Sequence, residues 1–286
     1  MQLFIASLNS GSNGNCYYIG NDREAVLVDA GISCRETEKR MKRLDLEIGK
    51  VKAIFVSHEH SDHIRGIQVL SKKYQLPVYI TPGTLQSGGL TLPAGQVRQF
   101  LAYEKVAIGS LVITAFPKHH DASEPHSFIV SYNNINVGVF TDIGRACEDV
   151  IQHFSLCHAA FLEANYDEQI LEAGNYPYFL KQRIRGGLGH LSNRQALELF
   201  TAYRSPKLSH VLLSHLSKNN NCPDLVLKLF KEHAGNTEVV VASRFEESAV
   251  YTISETVPRS NFSECTDYIA FEQRSQEPLT TRLVSS

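Results

Sequence analysis

Ile54-Phe55-Val56-Ser57-His58-Glu59-His60-Ser61-Asp62-His63-Ile64-Arg65-Gly66 sets three histidines and an aspartate within six residues, after an apolar run and before an amphipathic segment. It reads as a strand, a tight loop and a helix start. A loop at a strand end lets successive imidazoles converge on one point, whereas a strand would send neighbours to opposite faces. Three imidazole nitrogens and a carboxylate oxygen are donors that Zn²⁺, Mn²⁺ or Fe²⁺ accept. Asp62 also stands where a helix N-cap is expected, which is the structural alternative for that residue. The whole His58-x-His60-x-Asp62-His63 run has no comparably simple structural explanation.

Outward from this loop, strands are predicted at residues 3–8, 16–19 and 25–29, the last two forming a hairpin across Gly20-Asn21-Asp22. Asp29 ends the hairpin and by itself reads as a turn or capping aspartate. Residues 35–44 are helical in pattern, and their Arg35, Lys39, Arg40, Lys42 and Arg43 interleave with Glu36 and Glu38. A solvated face with i,i+4 pairs is the simplest account of them. A helix is predicted over 64–74, a strand over 77–80, and a loop with at most one short helix over 83–96. Strands at 106–108 and 111–116 lead to Pro117-Lys118-His119-His120-Asp121. Neighbours on an extended chain point oppositely, so His119 and His120 cannot both be ligands without further argument. His126 reads as a polar loop histidine with no role.

Residues 136–142 form a predicted strand ending in Asp142. Alone, Asp142 would cap a helix over 144–152; as one more donor at a strand end, it is placed to bridge two cations. The strand 158–163 ends in Glu163. One or two helices follow over 167–185, the second opened by Pro177, and Lys181, Arg183 and Arg185 form a local basic cluster. Gly189-His190-Leu191-Ser192 introduces a helix to 203 with Ser192 as N-cap. The strand 208–215 ends in His215, with His210 structural at its start. Pro223 begins a helix to about 234, and closing strands are expected at 238–242 and 249–253. From Pro258 onward periodicity lapses, so the chain divides into a catalytic domain over 1–257 and a polar appendage over 258–286.

With its histidine run, the chain resembles the metallo-β-lactamase-fold hydrolases over about its first 255 residues. Ser10-Gly11-Ser12-Asn13-Gly14-Asn15-Cys16, Gly189-His190-Leu191-Ser192-Asn193 and Ser214-His215-Leu216-Ser217-Lys218 are similar to the bacterial WalJ/YycJ-like branch, whose members are regarded as exonucleases. That branch is in turn similar to ribonuclease Z and to phosphodiesterases of the same fold. The resemblance implies an αββα sandwich: two facing mixed β-sheets with helices outside. Carried over residue by residue, it assigns His58, His60 and His120 to one metal and Asp62, His63 and His215 to a second. Asp142 then bridges the two, and Asp29 lies beneath them. Glu163-Ala164-Asn165 resembles the Glu-Ala-Thr segment of ribonuclease Z. His190 matches a histidine there that acts on the scissile phosphate without binding metal, with Glu163 orienting it. Redox relatives carry a glutamate where this chain has His60, and thiolate-bearing relatives place a cysteine in the site, so the set is hydrolytic.

The expected cofactors are two divalent transition metals, zinc foremost, with manganese or iron as alternatives. Such a pair lowers the pKa of a bound water toward ~7 and supplies a bridging hydroxide as nucleophile, with Asp62, His190 and Glu163 as the catalytic residues. A phosphodiester needs a proton donor such as His190, because an alkoxide leaves poorly; a β-lactam or thioester needs it less. The expectation is therefore a phosphodiesterase, preferably a nuclease. One alternative is a small-molecule hydrolase of a cyclic phosphodiester, ester or lactone. The other is a non-catalytic binding protein, against which the complete donor set argues.

Composition narrows the partners. With 43% hydrophobic and 20% charged residues the chain is an ordinary globule rather than a disordered one. No apolar run approaches the ~20 residues of a membrane helix, and the scattered Cys16, Cys34, Cys147, Cys157, Cys222 and Cys265 show no paired framework. A cytoplasmic protein with reduced thiols is expected. A formal net charge of −2 gives no global attraction to a polyanion. Contacts with nucleic acid must then be local, and Arg35, Lys39, Lys181, Arg183 and Arg185 are the candidates.

Overall fold

A computed structural model of the chain describes residues 2–255; the appendage expected at 258–286 lies outside the described residues. The first half supplies β1 (Gln2–Asn9), β2 (Cys16–Gly20), β3 (Ala25–Val28), α1 (Cys34–Arg43), β4 (Val51–Phe55), α2 (Ser61–Ile64), α3 (Ile67–Tyr74), β5 (Val78–Tyr79), α4 (Pro82–Ser87) and β6 (Val97–Arg98). Next come β7 (Lys105–Ile108), β8 (Leu111–Pro117), β9 (His126–Tyr132), β10 (Ile135–Phe140), α5 (Glu148–Phe154), β11 (Ala159–Glu163), α6 (Glu168–Ala173) and α7 (Tyr178–Arg185). The last elements are α8 (Asn193–Tyr203), β12 (His210–Ser214), α9 (Pro223–Lys231), β13 (Glu238–Val241) and β14 (Tyr251–Ser254). Among the described residues these strands form two seven-stranded mixed sheets, ordered β14-β1-β2-β3-β4-β5-β6 and β13-β12-β11-β10-β9-β8-β7.

Alternation along the strands generates the layers. In β1, β3 and β4, Leu3, Ile5, Val26, Val28, Ala53 and Phe55 enter a core shared with Val137, Val139, Ala159, Phe161 and Leu212 of the other sheet. Their neighbours Ala6, Leu8, Ala25, Leu27 and Ile54 turn outward, into a second cluster with Met41 of α1 and Ile67 and Leu70 of α3. On the far side, Phe140, Ala160, Leu162, Val211 and Leu213 pack with Val150, Leu199, Phe200 and Phe230 of α5, α8 and α9. Strands apolar on both faces thus give three cores and four layers, the αββα sandwich. The inter-sheet core includes a run of rings: Phe55 stacks on Tyr79 at 4.5 Å and meets Phe128 edge-on at 5.7 Å. Phe128→Ala removes a fully buried ring where the sheets meet, and is expected to cost about 3–5 kcal/mol. Urea denaturation with an unchanged slope and a midpoint shift of less than 1 kcal/mol equivalent (roughly the cost of one methylene) would contradict that packing role.

Two local expectations need correction, and two structural alternatives fall away. The helix expected over 64–74 is broken into α2 and α3 at Gly66, whose N–H donates to Ala30 O at 2.8 Å. A Cβ there would lie 2.0 Å from Ile32 O, so the chain needs glycine at this crossing. His126 is not in a loop: it opens β9, a strand absent from the sequence reading, and Ser127–Val130 behind it are buried. Asp142 caps no helix, because α5 starts only at Glu148 with Cys147 at its N-cap position. Likewise Asp62 lies in the first turn of α2, and His60 takes the N-cap position.

Strand direction places the chemistry. The strands β10, β11, β12 and β13 are parallel, and β8 runs with them because β9 is antiparallel to both β8 and β10. In the first sheet β3 and β4 are parallel, and β1 runs with them through antiparallel β2. The C-terminal strand ends of the two sheets meet at one edge, where His215 N donates to Ser10 Oγ (2.7 Å) and His126 N to Ser57 O (2.9 Å).

Candidate metal centre

Asp29, His58, His120, Asp142, Glu163 and His215 sit at or just beyond the C-terminal ends of β3, β4, β8, β10, β11 and β12. Asp29, Asp142 and His215 have left-handed backbones, with φ of 61°, 55° and 55°. Side-chain-bearing residues avoid that region at a cost of order 1–3 kcal/mol, and where it persists the surroundings enforce it. The turn swings each side chain off the strand's alternation and into the gap between the sheets.

Hydrogen bonds settle which nitrogen of each histidine faces that gap. Ser57 Oγ and His63 Nδ1 both donate to Asp29 Oδ2, at 2.8 and 2.7 Å, since a carboxylate only accepts. With its one proton used, Ser57 Oγ can only accept from His58 Nδ1 at 2.9 Å. His120 Nδ1 donates to Gly189 O at 3.0 Å, and His215 Nδ1 to Glu163 Oε1 at 3.0 Å. In each of these four rings Nε2 is left facing the cluster, the arrangement that prepares histidine for a metal.

Two groups of donors result. His58 Nε2 and His120 Nε2 lie 3.1 and 3.3 Å from His60 Nδ1. Burial lowers the pKa of His58 well below its usual value and that of His120 to about 4, so both rings are neutral. Their lone pairs face one nitrogen that carries at most one proton. Three nitrogens ~2.1 Å from a tetrahedral zinc would be about 3.4 Å apart, so both separations from His60 are already at ligand spacing. In the second group, Asp62 Oδ2 is 3.6 Å from His63 Nε2 and 3.4 Å from His215 Nε2. Asp142 stands between the groups: Oδ1 is 3.7 Å from His120 Nε2, and Oδ2 is 3.1 Å from His63 Nε2. Oδ2 is buried with no partner of good hydrogen-bond geometry besides the His63 ring, and a cation in place of that ring's Nε2 proton fits there.

Charge points the same way. Asp29, Asp142 and Glu163 are buried beside the partly buried Asp62, with buried Lys118 as their lysine neighbour. Against the effect of burial, Asp142, Asp29 and Asp62 hold the pKa of His63 up at about 10, and Asp142, Asp62 and Glu163 raise that of His215. In the chain by itself, protons on these rings supply positive charge that a divalent cation would otherwise bring. The donor set therefore fits divalent metal.

His190 lies across the same cavity, about 410 Å³ in volume, whose walls include His60, Asp62, His120, Asp142 and His215. Its Nδ1 donates to Glu163 Oε1 at 2.9 Å, and the side chain is 21% exposed. Glu163 is fully used: Oε1 serves His190 and His215, while Oε2 accepts from Ile143 N at 2.8 Å and Leu191 N at 3.1 Å. Burial raises the carboxyl's pKa, but the two imidazoles outweigh it and bring it to about 2. All of the residues expected at the metals, together with Asp29, His190 and Glu163, are thus gathered at one place.

Of the five basic candidates, Arg183 lines the cavity, whereas Arg35, Lys39, Lys181 and Arg185 do not. Arg183 is paired with Asp121 at 2.5 Å and Arg185 with Glu172 at 3.0 Å. Several supporting residues escaped the sequence reading. Asn15 Nδ2 donates to Asp62 Oδ2 at 3.1 Å, Asn165 Nδ2 to His215 O at 2.8 Å, and Lys118 Nζ to Thr141 O at 2.7 Å. Only Asn15 was within reach of a sequence signal, the Ser-Gly-Asn loop between two strands.

Comparison with known proteins adds four findings. Residues 10–180 match the model of the metallo-beta-lactamase superfamily. The chain is 32% identical to an exodeoxyribonuclease YycJ of Bacillus anthracis, covering 91% of this chain and 97% of that protein. An exodeoxyribonuclease WalJ of Streptococcus pneumoniae is 32% identical over 76% of this chain and 83% of its own length. In structure the fold is similar to the metallo-beta-lactamase fold protein YhfI from Bacillus subtilis, with a TM-score of 0.68 at 16% identity, covering 88% of this chain and all of that one.

Proposed function

The chain belongs to the metallo-β-lactamase superfamily and is a metal-dependent hydrolase; from that premise we propose that it is a phosphodiesterase acting on DNA, an exonuclease in type, with two zinc ions as cofactors. The observation that carries this reading is the His190–Glu163 pair at 2.9 Å, beside the metal ligands yet outside both donor groups assigned to metal. His58, His60 and His120 would hold one cation, Asp62, His63 and His215 the other, and Asp142 both. When bound, the cations supply Lewis acidity that activates water at neutral pH and neutralises phosphate charge.

The chain's own residues do the rest. Glu163 keeps a proton on His190 Nδ1 and orients the ring, so that in the imidazolium form Nε2 carries a second proton. That second proton moves from Nε2 to the leaving oxygen, which would otherwise depart as an alkoxide. Afterwards the neutral ring still has Nδ1–H held by Glu163. Asp29 fixes the orientation of His63 directly and of His58 through Ser57. The names of the two curated relatives support DNA as substrate.

We read residues 1–257 as the catalytic domain and 258–286 as an appendage. Among the described residues no helix is long and apolar enough to cross a membrane. The free thiols of Cys16, Cys34 and Cys157, buried and unpaired, support a reducing, cytoplasmic setting.

The test is digestion of end-labelled single- and double-stranded DNA and RNA by the metal-loaded protein, beside a chromogenic phosphodiester. Release of mononucleotides from DNA ends is expected, and binding should weaken steeply with salt as phosphate contacts release counterions. Turnover of the chromogenic diester with no cleavage of any polynucleotide would instead assign a small-molecule substrate.

A further inference from the structure

Most arginines near the cavity are already neutralised by carboxylates: Arg183 by Asp121, Arg185 by Glu172, and Arg194 by Glu168. Arg244 differs. It comes from the segment between β13 and β14, and has no carboxylate partner among the described residues. Its Nη2 donates to Ser12 Oγ at 3.1 Å and to Asn13 Oδ1 at 3.4 Å, while Nη1 is buried with no acceptor. Ser12 lines the catalytic cavity, so its bond with Nη2 holds the guanidinium beside that wall. The resting pose is therefore costly, because a shielded N–H without an acceptor loses its hydration for nothing. Turning toward the cavity gives up two long, neutral contacts and frees the unsatisfied donor.

The backbone under Arg244 is fixed. Asn13 Nδ2 donates to Arg244 O at 2.8 Å, and Arg40 Nη2 to Phe245 O at 2.9 Å. Phe245 itself projects into solvent, 74% exposed. An unpaired guanidinium bonded to Ser12 of the cavity wall and followed by an exposed aromatic ring is the combination that holds a single strand by its phosphate and its base.

We propose that Arg244, with the Ser12 hydroxyl, forms a subsite for a phosphate next to the scissile one while Asn13 holds the Arg244 backbone in place, and that Phe245 stacks on the base attached to it. This rests on the reading of the cavity as a DNA phosphodiesterase site. It makes an unpaired strand the preferred ligand, with Ser12 of the N-terminal loop in the grip and Asn13 supporting Arg244.

The test compares two substrates in the zinc-loaded protein: a single-stranded oligodeoxynucleotide, and a chromogenic diester that has no second phosphate. Arg244→Gln is expected to lower kcat/KM on the oligonucleotide about ten- to hundredfold more than on the diester, the worth of a charged hydrogen bond, mainly through KM. The salt dependence of oligonucleotide binding should fall by about one unit of slope. Arg244→Lys, which keeps the charge and loses the fork, should recover part of the loss and shows that the position tolerates change. Phe245→Ala should cost about five- to hundredfold on the oligonucleotide, as loss of one stacked base does. Equal losses on both substrates, or no loss in Arg244→Gln, overturn the phosphate subsite while wild-type cleavage of DNA leaves the nuclease reading standing. No loss in Phe245→Ala overturns the stacking role. Wild-type protein that hydrolyses the diester but no oligonucleotide overturns the nuclease reading and the subsite with it.

Discussion

His190→Ala is expected to slow phosphodiester turnover by roughly 10²–10⁴-fold, the span of one general acid–base group, in a protein that stays folded and keeps its metal. The expectation follows from position: the ring is held by Glu163 at 2.9 Å, lines the cavity, and is not needed to complete either donor group. His215→Ala is the informative contrast. His215 shares Glu163 with His190 but also faces Asp62, so its loss should remove metal along with rate. Glu163→Gln should do some of each. A glutamine amide would place N–H groups against Ile143 N or Leu191 N, both of which now donate to the carboxylate. It would also weaken the hold on both imidazoles, and such partners typically contribute 10–100-fold to metal affinity or activity. The double variant His190→Ala with Glu163→Gln should be far less than multiplicative, because the two residues act as one unit. Wild-type turnover in His190→Ala would remove the leaving-group role and, with it, the chemical case for a phosphodiester over an ester.

Removal of the metals is the second large effect. Chelation should abolish turnover and lower the melting temperature, since the folded chain then retains buried carboxylates without cations. Ligand at a thousandfold its Kd stabilises by about 4 kcal/mol, enough to move a domain of this size by several degrees. Zinc or manganese should restore both properties. Asp142→Asn keeps the shape of the side chain but halves the capacity of its head group to serve two cations. It is expected to bind at least one equivalent fewer of the about two held by wild type, the occupancy of a bridged two-metal site. Elemental analysis finding full occupancy in that variant would place Asp142 outside the centre.

The parts of this site legible in sequence are those that lie within a few residues of one another. His58, His60, Asp62 and His63 share one loop, so their chemistry could be read without knowing the fold. His120, Asp142 and His215 are single residues on separate strands. Alternation alone could not choose His120 over His119, and Asp142 looked like a helix cap; family resemblance carried those assignments. The left-handed backbone that aims Asp142 and His215 has no sequence signal when glycine is absent. Ser57, Lys118 and Asn165 were missed because their decisive hydrogen bonds, to Asp29, Thr141 and His215, have partners that only tertiary structure supplies. Arg244 reaches Ser12 across 232 positions, which no local pattern reveals. The strand β9 escaped for a different reason. Its buried centre, Ser127 to Val130, follows Pro125 with little polar alternation, and a short apolar run is ambiguous by periodicity.

The pairing of β14 with β1, Gln2 opposite Ser254, has a consequence for how the molecule is made. Among the described strands β1 is made first, and its outer neighbour is made last. At ~5–20 residues per second, synthesis leaves that edge of β1 open for on the order of 10–50 s, exposing unpaired N–H and C=O groups to any other nascent strand. His215, by contrast, emerges well before β14. A chain elongated to about residue 245, with the ribosomal tunnel cleared, would carry all seven proposed ligands and an unsealed sheet. For that interval, capture of a divalent metal by the ligand cluster can precede closure of the sheet, so the metal supply during synthesis should affect folding yield.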